Sequence, residues 1–322
     1  MHVHEREQLR ACTDLHEWEA GRGVEEARPH HVRDPGGAPT GAGAADERRE
    51  PRNHAALHRQ HGGARRKDQH WYGDMLIVGG GPCGLLAALI ASRSGARVMV
   101  VDDHPHLGGH LRASKTIIDD KPAMAWVEAV IAELDDNPEV TILQDSTAWG
   151  YREDNQLLVT ERNPAEEHVF QRGWKVRANQ VILATGAIER NLVFTNNDRP
   201  GIMLASAVQH YVNEFAVVPG RRAIIFTNNS SAYALAHDLQ TAGTDIAGII
   251  DSRPVEAIGA EKDGLELPLY ARHQIMAAHG GKHINAVSIR DENGIITRLD
   301  CDLLAISGGW NPAVHLFSQS RG

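Results

Sequence analysis

Past residue 74 the chain alternates two patterns. One is a short, mostly apolar run: Met75–Val78, Arg97–Val101, Val140–Leu143, Val181–Leu183, Ala223–Phe226 and Asp245–Ile250. Runs of this length without polar alternation read as strands buried on both faces. The other pattern is helical. Leu85–Ser92 is rich in good helix formers and is closed by Gly95. Pro122–Asp135 carries Ala123, Trp126, Val127, Val130, Ile131 and Leu134 on one face. Leu204–Phe215 and Ser231–Thr241 read as two more helices. Strand, helix and strand thus recur twice, at 75–103 and 223–251, which predicts an α/β protein with two βαβ units. Between them lies a meander: Thr147–Arg152, a turn at Asp154-Asn155, Leu157–Glu161 and Glu167–Gln171. Trp174–Val176 then leads to Gln180 and the strand ending Ala184-Thr185-Gly186. Further on, 265–279 predicts a helix, 282–290 a strand, Glu292-Asn293-Gly294 a hairpin turn and Ile295–Leu299 its return.

Residues 1–72 follow neither pattern. Val3, Leu9, Leu15, Val24, Val32 and Leu57 are the only Val, Leu, Ile or Phe in the first 70. Such a segment buries too little apolar surface to offset its ordering entropy, so disorder is expected, with the ordered body starting at Tyr72. An upstream start or a shifted reading frame would account for it. Its nine histidines show no ligand-like spacing, and no metal site is expected.

The net charge of −9 falls entirely on residues 71–322, because the first 70 hold 12 basic and 12 acidic side chains. An acidic body is poorly suited to nucleic acid or anionic membranes, and neither is expected as a partner. No apolar run reaches the length of a membrane span, and no secretory signal precedes the body. Cys12, Cys83 and Cys301 form no CxxC pair, a pattern that fits a reducing cytoplasm.

Candidate chemistry concentrates in Met75–Asp103. The strand Met75–Val78 runs into Gly79-x-Gly81-x-x-Gly84. In that context the glycines read as a dinucleotide fingerprint. Gly79 permits the turn, Gly81 lets a pyrophosphate approach the backbone, and Gly84 lets the helix pack on the sheet. Pro82 suits a first helical turn whose free N–H groups face the phosphates. Asp102 stands 18 residues after Gly84, where an acid holds the ribose hydroxyls. Its charge argues against NADP and for NAD or FAD. Gly108-Gly109 offers a second close approach of backbone to ligand. In the second unit the loop Thr227-Asn-Asn229-Ser-Ser-Ala232 replaces both leading glycines. Its turn survives through asparagine, but its phosphate cradle is expected to be lost.

Longer motifs carry a family resemblance. Asn197-Asp-Arg-Pro-Gly-Ile-Met, Pro219-Gly-Arg-Arg-Ala-Ile-Ile-Phe-Thr-Asn-Asn, Ser231-Ala-Tyr and Ser307-Gly-Gly-Trp-Asn-Pro-Ala-Val-His-Leu-Phe-Ser-Gln-Ser resemble the alpha subunits of heterotetrameric sarcosine oxidases. The resemblance covers about residues 72–322. It implies two Rossmann-like dinucleotide-binding domains of the glutathione-reductase type, the second inserted in the first. The first would be 73–216 plus 297–322, and the second, degenerate one 217–296. Cys301–Pro312 would then return the chain to the first domain.

The family oxidatively demethylates sarcosine to glycine, reduces oxygen to peroxide and can pass the one-carbon unit to tetrahydrofolate. By resemblance, FMN and FAD sit on or against the beta subunit, gamma and delta subunits complete the complex, and alpha binds NAD at its first unit. The implied NAD contacts are Gly79, Gly81, Cys83, Gly84, Asp102, Asp103, His104 and His110, with backbone contacts near Ala148, Thr185 and Gly186; the Gly108-Gly109 turn adds Gly109. The family's N-terminal ferredoxin-like domain and its folate-binding domain have no counterpart here. The chain is therefore expected to be a fragment, inactive without its partners. Three readings stay open: this one, an FAD-containing opine or amine dehydrogenase or hydrogen cyanide synthase subunit, and a nucleotide-free scaffold. No catalytic residue is readable, because sites in this fold assemble from distant loops.

Overall fold

The computed structural model describes residues 65–162, 164, 169–262 and 264–320. The segment 1–64, for which disorder is expected, lies outside the described residues.

The first sheet is built from β1 (Arg65–Val78), β2 (Val98–Val101), β5 (Val140–Leu143), β6 (Ser146–Arg152), β7 (Gln156–Arg162) and β8 (Val169–Leu183). A two-residue pair, β3 (Ile117–Ile118) and β4 (Lys121–Pro122), forms a small hairpin between β2 and β5 in the chain. The order across the sheet is β5-β2-β1-β8-β7-β6. β5, β2, β1 and β8 run parallel, and β7 and β6 return antiparallel. The apolar runs are buried on both faces because the sheet is covered on both. Ile77, Val98 and Val100 pack under α1 (Pro82–Arg93) and α2 (Ala123–Asp135), with Leu85, Val127, Val130 and Leu134. Leu76, Val78, Met99 and Val101 face the opposite way, onto Leu157, Val159 and Val176 of the meander. Each such side chain contributes roughly 1.5–3 kcal/mol on full burial.

Two boundaries differ from the sequence reading. β1 begins at Arg65 rather than Tyr72, because its polar N-terminal half pairs residue by residue with β8, from Arg66↔Gln171 to Gly73↔Ala178. The segments expected as separate pieces from Val169 to Leu183 form one strand, flanked by β1 and β7 along its length.

The second sheet is wholly parallel. It comprises β10 (Ile202–Leu204), β11 (Arg222–Thr227), β12 (Asp245–Asp251), β13 (Leu269–Ala271) and β17 (Leu303–Ser307), in the order β10-β17-β11-β12-β13. Ala223, Ile225, Leu303 and Ala305 pack under α3 (Ala205–Asn213) and α4 (Tyr233–Thr241). Ile224, Phe226, Leu304 and Ile306 pack against the antiparallel sheet of β14 (Gln274–Gly280), β15 (Ile284–Arg290) and β16 (Ile296–Asp300). The hairpin turn is as read: the Asp291 carboxylate accepts the Asn293 and Ile295 N–H groups, and Gly294 takes φ +84°.

The structure corrects two assignments. Residues 265–279 are not helical; they form β13 and β14. Leu265, Leu267, Leu269 and Ala271 pack on one cluster, a period of two, and Pro268 interrupts any helix. The strand Leu303–Ser307 does not join the first sheet but lies between β10 and β11 in the second. Its residues are buried on both faces, so the pattern named a strand without naming its sheet. The chain returns only afterwards. β18 (Trp310–Pro312) pairs with β9 (Ala187–Glu189), the Ala313 N–H donates to Gly186 C=O at 3.0 Å, and Leu316 of the helix α5 (His315–Gln319) joins the core beneath β6 and β7.

Candidate dinucleotide site

β1 delivers the chain to Gly79, where φ is +107°. A side chain is excluded there, because a Cβ would run into the Ala184 carbonyl. Gly84 is closed for the same reason: its Cβ would strike the Gly79 carbonyl oxygen, so only hydrogen lets α1 approach the turn. Gly81 differs. A Cβ there would meet nothing nearer than the Gly109 Cα at 3.9 Å. Gly81 therefore borders open space at the start of α1. No side chain caps that helix, and Pro82 holds its first turn. These are the properties of an anion site: backbone N–H groups, the positive end of a helix dipole, and no Cβ in the way.

Asp102 follows β2 directly, and its side chain is only 11% exposed. Its Oδ2 accepts the Gly80 N–H at 2.5 Å and its Oδ1 accepts the His104 N–H at 2.9 Å. The acid thus fixes the glycine turn and the following loop together. His104 Nδ1 lies 3.3 Å from Asp102 Oδ1 and 2.8 Å from Asp103 Oδ1, with the ring exposed. Asp103 itself is exposed, and its carbonyl accepts from Arg162 Nη2 at 3.1 Å. Gly108 donates its N–H to Gly80 C=O at 2.8 Å, and Gly109 (φ +52°) abuts Gly81. His110 continues the same turn. Partial burial, then the neighbouring His210, hold its imidazole below the usual histidine range, though part of its surface stays exposed.

The sequence-read residues therefore fall in three groups. Gly79, Gly81, Gly84, Asp102 and Gly109 converge on one turn, with Cys83 in the first turn of α1. Thr185 lies beside Gly79 through its backbone N, its hydroxyl committed to Ala313 C=O at 2.7 Å, and the next residue, Gly186, accepts the Ala313 N–H. Ala148 sits on β6, linked to the site through the Ser146 N–H, which donates to Asp102 C=O at 2.8 Å. One contributor, Gly80, escaped the sequence reading, and Gly108, read there only as half of a glycine pair, has a bond of its own. Gly80 holds Asp102, and a Cβ there would meet Leu107 and Asp102; Gly108 (φ +117°) bonds back to Gly80. The Gly79-Gly80-Gly81 run was the available signal, since the fingerprint requires only its outer members.

The second unit fills its own loop. Thr227 Oγ1 accepts the Asn229 N–H at 3.0 Å. Asn229 Nδ2 donates to Ser307 Oγ at 3.0 Å, and its Oδ1 accepts from Ser231 Oγ at 2.6 Å. The Trp310 indole N–H donates to Ser231 Oγ at 3.0 Å. Asp251, the acid that ends β12, is fully buried and accepts from Tyr233 Oη at 2.9 Å and from Arg253 at 2.8 Å. The loop Thr227–Ala232 is thus closed by hydrogen bonds among its own side chains and to Ser307 and Trp310.

Comparison with known proteins agrees with this geometry. The model of the FAD dependent oxidoreductase family matches residues 74–183, a span that holds the glycine loop and Asp102 and ends just before the Ala184-Thr185-Gly186 turn. The chain is 42% identical over 269 residues to the alpha subunit of a sarcosine oxidase from Corynebacterium sp. (strain P-1), covering 79% of this chain and 28% of that one. An opine oxidase subunit from Agrobacterium tumefaciens (strain Ach5) is more distant, 29% identical over 184 residues, covering 56% of this chain and 37% of that one. The chain thus spans little more than a quarter of the length of the sarcosine oxidase subunit it matches. Among solved structures, an L-proline dehydrogenase from P. horikoshii superimposes with a TM-score of 0.61 at 23% identity, over 80% of this chain and 46% of that one. That likeness shows the FAD/NAD-binding Rossmann-like fold.

Proposed function

The chain is homologous to the alpha subunits of sarcosine oxidases and carries an FAD dependent oxidoreductase domain; from that premise we propose that it holds one dinucleotide, NAD, in the turn Gly79–Gly84. The observation that carries the reading is the contrast among the glycines. Gly79 and Gly84 are closed by protein atoms, while Gly81 borders open space before an uncapped helix. Asp102 stands at the end of β2, poised for ribose hydroxyls and unfavourable to a 2′-phosphate. When bound, the cofactor supplies hydride or electron-pair chemistry; the residues of this chain bind and orient it.

The proposal extends to the complex. The chain serves as part of an alpha-type component in an oxidoreductase that demethylates sarcosine, with beta, gamma and delta subunits supplying FMN and FAD and completing the amine site. It is inactive alone and works in the cytoplasm. No helix among the described residues is long and apolar enough to cross a membrane. The closed loop Thr227–Ala232 supports a second unit that acts as structure rather than as a nucleotide site.

A second reading places FAD in the same turn, favoured by the FAD family model over residues 74–183. Calorimetric titration of the purified chain with NAD and, separately, FAD tests both. Binding of NAD and not FAD supports the first reading, and a bound flavin with visible absorbance supports the second. Binding of neither would leave a nucleotide-free scaffold.

A further inference from the structure

The turn that carries Gly109 against Gly81 is gripped from the second half of the molecule. It runs from Gly108 through the short helical turn Gly109–Ala113 to Lys115. Arg112 donates from Nε and Nη2 to Glu214 Oε1 at 2.8 and 2.6 Å, and both side chains are mostly buried. Glu214 immediately follows α3, a helix packed on the second sheet. Its other oxygen, Oε2, accepts from His210 Nδ1 at 2.9 Å, one helical turn back. Asn213 Nδ2 donates to Ala113 C=O at 2.7 Å and to Asp238 Oδ2 at 2.8 Å. Lys115 reaches Asp238 Oδ1 at 3.2 Å. At the other end of the turn, the Arg112 stem underlies Gly108, where a Cβ would stand 3.2 Å from Arg112 Cγ. Leu111 and Ala113 anchor the turn by burial, Leu111 in the cluster under the first sheet's helices, while its polar groups are held from α3. Its glycines sit at positive φ, and its direct tie to the phosphate loop is the Gly108–Gly80 backbone bond at 2.8 Å.

We propose that Arg112 and Glu214 are positioning residues of the dinucleotide site: their ion pair clamps the Gly108–Ala113 turn onto α3 and holds Gly109 at the distance from Gly81 that a dinucleotide needs. This rests on the reading of Gly79–Gly84 as a dinucleotide site. The pair is suited to the task. Arginine's planar fork fixes orientation as well as charge. Glu214 is kept anionic: partial burial opposes its charge, but hydrogen bonds from His210 and Arg112 outweigh it and hold its carboxyl below the usual range. A ligand-binding loop fastened in this way has less conformational freedom to lose on binding. The second unit, whose own loop is filled, thereby contributes to the site of the first.

The test is calorimetric titration of the full chain with NAD and with FAD, run beside hydrogen exchange of the ligand-free protein. Arg112→Ala and Glu214→Gln are each expected to weaken the dinucleotide the wild type binds by about tenfold or more. Arg112→Lys, which keeps the charge but not the fork, should recover only part of that loss. The double variant should lose no more than either single one, because both remove the same clamp. Exchange at residues 108–115 should quicken in Arg112→Ala while the strands of the first sheet stay protected. Affinities unchanged in both single variants, with Asp102→Ala still weakening binding, would overturn the clamp and leave the nucleotide reading intact. A wild type that binds neither ligand would overturn the nucleotide reading and, with it, the clamp's part in binding. Unaltered exchange at 108–115 in Arg112→Ala would overturn the clamp whatever the ligand result.

Discussion

A methyl group separates the structural glycines of the turn from the functional one. Gly84→Ala puts a Cβ against the Gly79 carbonyl, so α1 must move off the sheet. Overpacking of this kind costs about 1–3 kcal/mol, and a lowered melting temperature is expected. Gly81→Ala meets no protein atom nearer than 3.9 Å. It should melt like the wild type and still bind dinucleotide more weakly. Asp102→Ala strands the Gly80 and His104 N–H groups. A lost acceptor for a buried donor costs about 1–3 kcal/mol, which a urea titration reads directly.

Acid should act through two other groups. His110, held low by burial and then by His210, and Glu214, held low by its hydrogen bonds, have ordinary values of 6.5 and 4.5. Each titrates lower in the folded state, so each stabilises the fold fully above its ordinary value and loses that contribution as pH falls through its folded one. Stability is therefore expected to decline in two stages, the first starting below 6.5 and absent in His110→Gln. Urea midpoints measured from neutral pH downward check it; a flat profile across the first stage would contradict it.

At the scale of elements, legibility tracked how completely a segment's surroundings were written in its own residues. Val98–Val101 and Ala223–Phe226 read correctly because unbroken apolar runs have one common use in an α/β protein. The Asp291–Ile295 turn read correctly because Gly294 supplies the positive φ it needs. Leu303–Ser307 read as a strand but not as a member of its sheet, since burial on both faces is alike in either one. Residues 265–279 misread because the period of two from Leu265 to Ala271 is short, and the turn into β14 falls on Arg272 (φ +57°), a residue that carries no turn signal. The glycine turn of the proposed site was legible at Gly79, Gly81, Gly84 and Asp102, whose contacts are local. The Arg112–Glu214 pair was not, because its partners are 102 residues apart and no spacing rule joins them. The second loop gives an element-scale test. Asn229→Ala removes bonds to Ser307 and Ser231 and should destabilise the protein by roughly 1–3 kcal/mol. The number of dinucleotides bound should not change.

Two larger sheets, the first mixed and the second wholly parallel, carry one open glycine turn and one loop filled by its own side chains. The first sheet carries the intact fingerprint, and the second sheet supplies the helix that grips the turn beside it. The excess of acidic over basic residues lies in this body, which suits the proposed binding of a dinucleotide by backbone amides and a helix dipole rather than by surface charge. The central claim is a single dinucleotide site at Gly81. Calorimetric stoichiometry on the wild type and Gly81→Ala tests it most directly. The expected result is one dinucleotide per chain in the wild type, bound at least about tenfold more weakly by Gly81→Ala at equal melting temperature. Two dinucleotides per chain, none, or equal affinity in the two proteins would contradict it.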